Sequence, residues 1–246
     1  MTCPVNHPLI HTDPRLRAAY SEGAGIYRIV PAGVSIPSSL ADLREIIAAA
    51  GAAGIGLIPR GAGSGIPGNA VGSGVLLDLR ERMPRRLEVD SASRTAITSG
   101  NITQAELTRA ALSHGLRLPP DPSSSGWATL GGMVSTNASG PHTVRYGPTR
   151  AWVEALELVT ADGEVGWLER GGKDAKIRAH SPPGALMRFQ RDVAPELLAA
   201  RDNIMARFPR TRKNTAGYAL DQWLASHDDL DLIIGATTTP DGLFPS

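Results

Sequence analysis

Apolar residues in the first third of the chain follow the period of one helix and of several short strands. Apolar positions spaced by three and four residues predict a helix that begins after Ser38 or Ser39 and runs to about Ala53. Its apolar face is formed by Leu40, Leu43, Ile46, Ile47 and Ala50. Short apolar runs predict strands at 27–30, 54–58 and 75–79.

Two polar turns predict β-hairpins in the middle of the chain. Residues 87–89 and 95–98 have strand character and flank a polar turn. Residues 153–160 and 165–168 flank Asp162-Gly163, a dipeptide typical of tight hairpin turns. We expect residues 119–149, rich in Pro, Ser and Gly, to be loop.

Helical signals dominate the remaining segments. Thr103 and Glu106 have the spacing of a capping box, which predicts a helix from there to His114 that ends at Gly115. A polar, broken stretch at 171–183 is typical of a linker. Further along the chain, the pattern predicts helices at 194–208 and 219–225 and a strand at 230–234.

The composition indicates a globular protein with many turns. The 246 residues are 41% hydrophobic and include 27 Gly and 19 Pro without a repeating period. A net charge of +1 gives no electrostatic reason to expect a nucleic-acid or anionic-membrane partner. The single Cys cannot form an internal disulfide, no apolar run has membrane-spanning length, and no signal-peptide pattern is present, so we expect a cytoplasmic protein.

A glycine-rich loop at 60–68 follows the strand predicted at 54–58. Such a loop can turn several backbone N–H groups toward one anion, because glycine has no Cβ to obstruct it. Residues 63–68 match the G-x-G-x-x-G pattern of dinucleotide-binding folds, but Pro67 and a strand follow where that motif requires a helix. Taken alone, the loop is equally consistent with a phosphate site and with a structural turn.

A second loop, at 119–140, is rich in hydroxyl side chains, glycine and asparagine. Such groups suit a ligand with many acceptor atoms, for example a dinucleotide, although an ordinary surface loop is the alternative. The histidines predict no metal site, because Pro8 separates His7 from His11 and no second ligand stands near the others. No Ser/His/Asp triad can be assembled from motifs.

The two loops and several shorter stretches occur in an order that resembles the FAD-binding domain of the vanillyl-alcohol oxidase / p-cresol methylhydroxylase (PCMH) type. The resemblance covers about residues 27–171 and is nearest to the FAD-linked D-lactate, glycolate and D-2-hydroxyglutarate dehydrogenases. It is carried by residues 58–65, 75–79, 114–124, 128–132, 137–140, 145–147 and 161–165. Residues 207–209 and 213–218 also resemble this branch.

The resemblance implies an α+β fold of two small α/β subdomains, at about 27–85 and 86–171, with FAD between them. An irregular segment, 1–26, would precede this domain, and an incomplete continuation, 172–246, would follow it. The last strands of the flavin domain and the substrate (cap) domain, which holds the family's catalytic residues, are expected to be missing. A partner chain that supplies the missing domain is one explanation.

The resemblance also implies which residues hold FAD. Residues of the first loop would bind the pyrophosphate: Arg60, Gly61, Ala62, Gly63, Ser64, Gly65 and Ile66. Residues of the second loop would line the flavin and ribityl side: Asp121, Pro122, Ser123, Ser124, Ala128, Thr129, Gly131, Gly132, Thr136, Asn137, Ala138, Ser139 and Gly140. Ser64 stands where many relatives carry a flavin-tethering His, and Cys3 is the only thiol, so the FAD is expected to be non-covalent.

The implied function is that of an FAD-dependent oxidoreductase, a dehydrogenase that takes a hydride from a small 2-hydroxy acid and passes electrons to an acceptor. The catalytic residues cannot be assigned from the sequence. Two alternatives stay open: a non-catalytic flavin-binding fragment or subunit that needs a partner, and an enzyme similar to UDP-N-acetylenolpyruvoylglucosamine reductase.

Overall fold

The first half of the chain is built on a parallel sheet with the order β1-β3-β2. The computed structural model describes residues 6–171, 184–211 and 217–234. Strands β1 (Gly33–Ser35) and β2 (Leu57–Arg60) both run parallel to β3 (Val75–Asp78). The four residues of β3 are all buried, as expected for the central strand of a parallel sheet.

One long helix covers this sheet. Helix α2 (Leu40–Ala52) begins at Ser39, whose hydroxyl accepts a hydrogen bond from the amide of Asp42 at 3.1 Å. The predicted helix and its capping serine are therefore confirmed. Its buried face packs against strand residues in a cluster formed by Ile10, Leu43, Ile46, Ile47, Ala50, Leu57, Val75 and Leu77. A shorter helix, α1 (Pro14–Ala19), precedes β1.

The second half contains the two predicted hairpins. Strands β4 (Leu87–Asp90) and β5 (Thr95–Thr98) pair antiparallel, as do β6 (Ala155–Val159) and β7 (Val165–Glu169). Helix α3 (Gln104–Leu112) follows the first hairpin and has both hydrogen bonds of the predicted capping box. Gly115 then adopts φ of 69°, in the left-handed region expected for the residue that ends a helix.

The region expected to be loop, 119–149, contains two short helices that the sequence analysis missed. They are α4 (Leu130–Ser135) and α5 (Thr143–Tyr146), and a single 3₁₀ turn (Thr149–Trp152) leads from them to β6. Helix α4 begins at Thr129, whose hydroxyl accepts from the amide of Gly132. The N-cap residue Thr129 was the available signal, but the low helix propensity of the glycines at 131 and 132 concealed it.

The described part of the C-terminal region is helical. Its elements are α6 (Gly184–Arg188), a π-helical turn (Phe189–Val193), α7 (Ala194–Ala199), α8 (Arg201–Arg207), α9 (Leu220–Ser226) and α10 (Asp229–Ile233). The single helix predicted at 194–208 is thus two helices separated at Ala200. Both halves pack on one cluster, because Leu197 and Ile204 each contact the group around the buried Trp223.

The strand predicted at 230–234 is wrong, since these residues lie in and just after α10. Asp228 caps that helix by accepting from the amide of Leu230 at 2.9 Å. In a helix, Leu230 and Ile234 share one face and pack against Leu168 of β7, while Leu232 joins the Trp223 cluster. Helical packing therefore buries both sides of a segment whose alternation suggested a strand.

The strand predicted at 27–30 is also wrong, and the strand predicted at 54–58 lies slightly later, at Leu57–Arg60. The amide of Ile29 donates to the carbonyl of Ser21 at 2.9 Å, so residues 27–30 pair with the residues just before them and not with the sheet. The neighbouring edge of β3 is taken by β1. The linker expected at 171–183, the stretch at 213–218 and the tail from 235 fall wholly or mostly outside the described residues, as does Cys3.

Candidate functional site

The first glycine-rich loop leaves the carboxyl end of β2, the edge of a parallel sheet where ligands commonly bind. Gly63 and Gly68 adopt φ values of 69° and 95°, which side chains with a Cβ rarely tolerate. The six amide N–H groups of residues 61–66 donate no hydrogen bond to any part of the chain that the structure describes. Consecutive amides without a partner form a donor surface for an anion.

The Arg60 guanidinium lies against this loop and is held there by backbone carbonyls. Its Nη1 donates to the carbonyls of Glu22 at 2.8 Å and Ala70 at 3.1 Å, and the group lies over the Tyr20 ring. Burial lowers the pKa of Arg60, while the Asp78 carboxylate opposes that shift. A Cβ on Gly63 would lie 2.6 Å from Nη2. Arg60 therefore supports the loop from one side and places a positive charge next to it.

The second loop touches the first at Gly61. A Cβ built on Gly61 would lie 2.2 Å from the Thr129 hydroxyl, so only glycine fits there. Thr129 is 2% exposed and caps α4. The following Gly131 packs closely on the backbone of Gly100 and donates to its carbonyl at 2.8 Å. The structure thus brings the predicted residues at 61, 129 and 131–132 to one place, the junction of the first loop with the start of α4.

The turn after α4 holds two buried polar atoms without a partner among the described residues. Asn137 is fully buried, and its side-chain carbonyl accepts from the amide of Arg150 at 2.9 Å, but its Nδ2 donates to nothing. The hydroxyl of Ser139 is likewise unpartnered. Buried polar groups in folded proteins are nearly always satisfied, so these two atoms are suited to a ligand. In contrast, the predicted Thr136 donates its hydroxyl to the carbonyl of Gly132.

The segment 121–128 forms a turn at the start of α3. The carbonyl of Pro122 accepts from Ser125, and the carbonyl of Ser124 accepts from Ala128. Ala128 in turn accepts from the amide of Gln104. Of the predicted residues here, Ser123 is exposed and Ala128 is buried. These residues shape the second loop through their backbone.

His142 is a candidate functional residue that the sequence analysis set aside. Its ring Nδ1 contacts a carboxylate oxygen of Asp121, and its amide donates to the other at 3.2 Å. Partial burial raises the pKa of Asp121, but the hydrogen bonds from His142 outweigh it and hold that pKa below its ordinary value. Gly140 fits closely over the Asp121 carbonyl. No sequence signal links residues 21 positions apart, and only the fold brings them together.

A family model described as an FAD binding domain matches residues 31–169, more than half of the chain. The chain belongs to this FAD-binding domain family. The membership confirms the resemblance, the α+β fold and FAD as the cofactor. The subdomain boundaries at 27, 85 and 171 stay predictions.

Two curated relatives of this FAD-binding domain are dehydrogenases of 2-hydroxy acids by name. The D-lactate dehydrogenase of Archaeoglobus fulgidus is 38% identical over 140 residues, which are 57% of this chain and 31% of that protein. The D-2-hydroxyglutarate dehydrogenase of Pantoea ananatis is 29% identical over 209 residues, 83% of this chain and 20% of that protein. The chain thus spans about a fifth to a third of the length of these relatives.

A solved structure shows the same fold. An alkyldihydroxyacetonephosphate synthase superposes with a TM-score of 0.57 and 24% identity, over 71% of this chain and 36% of that one. At this identity the likeness concerns the fold alone.

The residues present in the FAD-binding domain fit its cofactor. The unpartnered amides at 61–66 match the oxygens of a pyrophosphate, and Asn137 Nδ2 and Ser139 Oγ match further acceptors. Among the described residues there is no cluster of His, Cys, Asp or Glu side chains able to hold a metal ion. Within the same residues, no helix has both the length and the apolarity to cross a bilayer.

Proposed function

We propose that this FAD-binding domain serves an oxidoreductase that dehydrogenates a small 2-hydroxy acid, such as D-lactate, glycolate or D-2-hydroxyglutarate. The run of six unpartnered amides at 61–66 carries the proposal, because it offers several donors for the oxygens of the FAD pyrophosphate. The relatives named after D-lactate and D-2-hydroxyglutarate support this substrate class.

Each part of the site has a separate task in holding the cofactor. The amides of residues 61–66 donate to the pyrophosphate oxygens, and the Arg60 charge beside Gly63 favours binding of the anion. Asn137 and Ser139 donate to acceptors on the flavin side. When bound, FAD supplies the two-electron acceptor for oxidation of the carbon that bears the hydroxyl.

We further propose that the FAD is held without a covalent bond. Ser64, partly buried in the first loop, stands at the position where the resemblance implies a tethering histidine in many relatives. Acid precipitation of the flavin-loaded protein should release all flavin into the supernatant. Yellow precipitated protein would contradict the proposal.

The test of function separates binding from turnover. The purified chain is titrated with FAD, and its flavin fluorescence and absorbance are followed. The loaded protein then receives a redox dye and D-lactate, glycolate or D-2-hydroxyglutarate, with L-lactate as the control. FAD binding with dye reduction by one D-acid or by glycolate supports the proposal.

The other outcomes identify the alternatives. Bound flavin without turnover indicates a flavin-binding subunit that needs a partner chain to supply the rest of the active site. Oxidation of a nicotinamide cofactor in place of a hydroxy acid indicates a reductase similar to UDP-N-acetylenolpyruvoylglucosamine reductase. A chain that takes up no FAD in excess would overturn the proposed cofactor site itself.

A further inference from the structure

We propose that residues 20–29, here named the strap, are part of the cofactor site and position the first loop to grip the pyrophosphate. The strap lies before the family-matched residues 31–169. The inference rests on the proposed function, because it assigns these residues a role toward FAD bound at 61–66.

The strap is a closed turn whose ends are fastened together. The amide of Ile29 donates to the carbonyl of Ser21 at 2.9 Å, and Glu22 and Arg28 form an antiparallel bridge. Ser21 is 1% exposed, whereas Ile26 at the tip is 93% exposed. The ends of the strap are therefore fixed in the protein, and its middle crosses the surface.

The middle of the strap lies directly on the first loop. The amide of Ala24 donates to the carbonyl of Gly63 at 2.9 Å. A Cβ on Gly25 would lie 2.3 Å from the carbonyl oxygen of Ile66, so only glycine allows this approach. From the loop side, Arg60 donates to the carbonyl of Glu22 at 2.8 Å.

Tyr20 anchors the strap to the same sheet edge from which the loop leaves. Its hydroxyl donates to Asp78 at 2.6 Å, and Asp78, at the end of β3, is 5% exposed. The second carboxylate oxygen of Asp78 accepts from the amides of Arg80 and Glu81. The Arg60 guanidinium lies over the Tyr20 ring, 5.5 Å from its centre. Strap, loop and sheet thus share one connected set of contacts.

One of these contacts determines the direction of the Ser64 amide in the loop. The peptide between Gly63 and Ser64 is planar and trans, so its N–H points opposite to its C=O. Because the Gly63 carbonyl is bound by the strap, the Ser64 amide points away from the strap. A loop this rich in glycine has many accessible conformations, and fixing one before binding raises affinity for the ligand. The strap provides that fixation.

The experiment compares Tyr20→Phe, which removes the hydroxyl that donates to the buried Asp78 carboxylate, with the wild-type chain. FAD affinity is measured by flavin fluorescence, and ADP, which carries the pyrophosphate without the flavin, is measured as a competitor. Tyr20→Phe should weaken both about tenfold, the size expected for loss of a hydrogen bond to a charged group.

A destabilised variant outside the strap shows whether Tyr20 acts by positioning the loop or only by stabilising the whole protein. Ile46→Val truncates a fully buried residue of α2 and lowers the thermal midpoint without touching the strap. It should keep the wild-type affinities for FAD and ADP. Equal losses in Ile46→Val and Tyr20→Phe would overturn the proposal, because Tyr20 would then act only through overall stability.

A second variant keeps the test decisive if Tyr20→Phe does not fold. Gly25→Ala places a methyl group against the Ile66 carbonyl and should also weaken FAD and ADP, whereas Gly51→Ala meets no atom within 4 Å and should not. Wild-type affinity in both Tyr20→Phe and Gly25→Ala overturns the strap proposal alone. A wild-type chain that binds neither FAD nor ADP overturns the proposed function and, with it, the role of the strap.

Discussion

Replacing Gly61 by Ala tests the contact that joins the two loops. The added methyl group would lie 2.2 Å from the Thr129 hydroxyl, and 3.4 Å from the Thr129 Cβ. Thr129 is 2% exposed, and its hydroxyl caps the first turn of α4 by accepting from the amide of Gly132. Moving this side chain aside would therefore break the hydrogen bond that caps the helix. The two loops must therefore separate or the helix cap must break.

The expected loss of stability combines the cost of overpacking with a smaller opposing effect on the unfolded chain. Overpacking in a closed site costs about 1–3 kcal/mol, and the more restricted unfolded chain of Ala offsets about 0.4–1 kcal/mol of it. We expect Gly61→Ala to lower the free energy of unfolding by about 1–2 kcal/mol. Thr129→Ala alone should lower it by about 1 kcal/mol, through loss of the cap.

A double-mutant cycle identifies the cause. In Gly61→Ala/Thr129→Ala, the hydroxyl at 2.2 Å is absent and the nearest remaining side-chain atom is the Cβ at 3.4 Å, an ordinary contact. The double variant should be about as stable as Thr129→Ala alone, which makes the two effects strongly non-additive. Urea unfolding of the FAD-free protein measures stability, and fluorescence titration measures FAD affinity. Additive losses of stability would refute the contact.

Three further predictions concern the loop, the acid stability and the core. Gly63→Val should abolish FAD retention, because its φ is 69° and a Cβ would lie 2.6 Å from Arg60 Nη2; unchanged flavin content after purification would contradict this. Hydrogen bonds from the neighbouring serines hold the pKa of Asp42 at about 2, below its ordinary 3.8, so its stabilising effect is complete above pH 3.8 and disappears as the pH falls toward 2. Asp42→Asn should remove this part of the pH dependence of urea unfolding, and an unchanged profile would count against it. Leu76→Ala, in the buried central strand, should lower the free energy of unfolding by about 2–5 kcal/mol, whereas Ile97→Ala, half exposed on β5, should change it little.

Elements whose stability is local were predictable from the sequence. The capping box at Thr103, the Ser39 cap of α2 and the hairpin at Asp162-Gly163 each depend on residues within a few positions of one another. Helix α10 shows the opposite case. Its apolar alternation suggests a strand, but packing on β7 and on Trp223 favours the helix.

In the candidate site, too, some features could be recognised from the sequence and others only from the fold. The glycine pattern at 60–68 indicated either an anion-binding loop or a structural turn, because glycine content and strand position can be recognised from neighbouring residues. The pairing of His142 with Asp121 and the seating of the strap on Gly63 could not be recognised, since they join residues about 20–40 positions apart.

The sequence by itself determined the hairpins, the first long helix and the position of the first glycine-rich loop, because backbone propensity, capping and turn chemistry act over a few residues. The tertiary structure decided the direction of the Ser64 amide, that Gly61 meets Thr129, and that residues 20–29 lie against the first loop. These depend on close packing between distant segments, where a difference of one methyl group decides whether two backbones can touch.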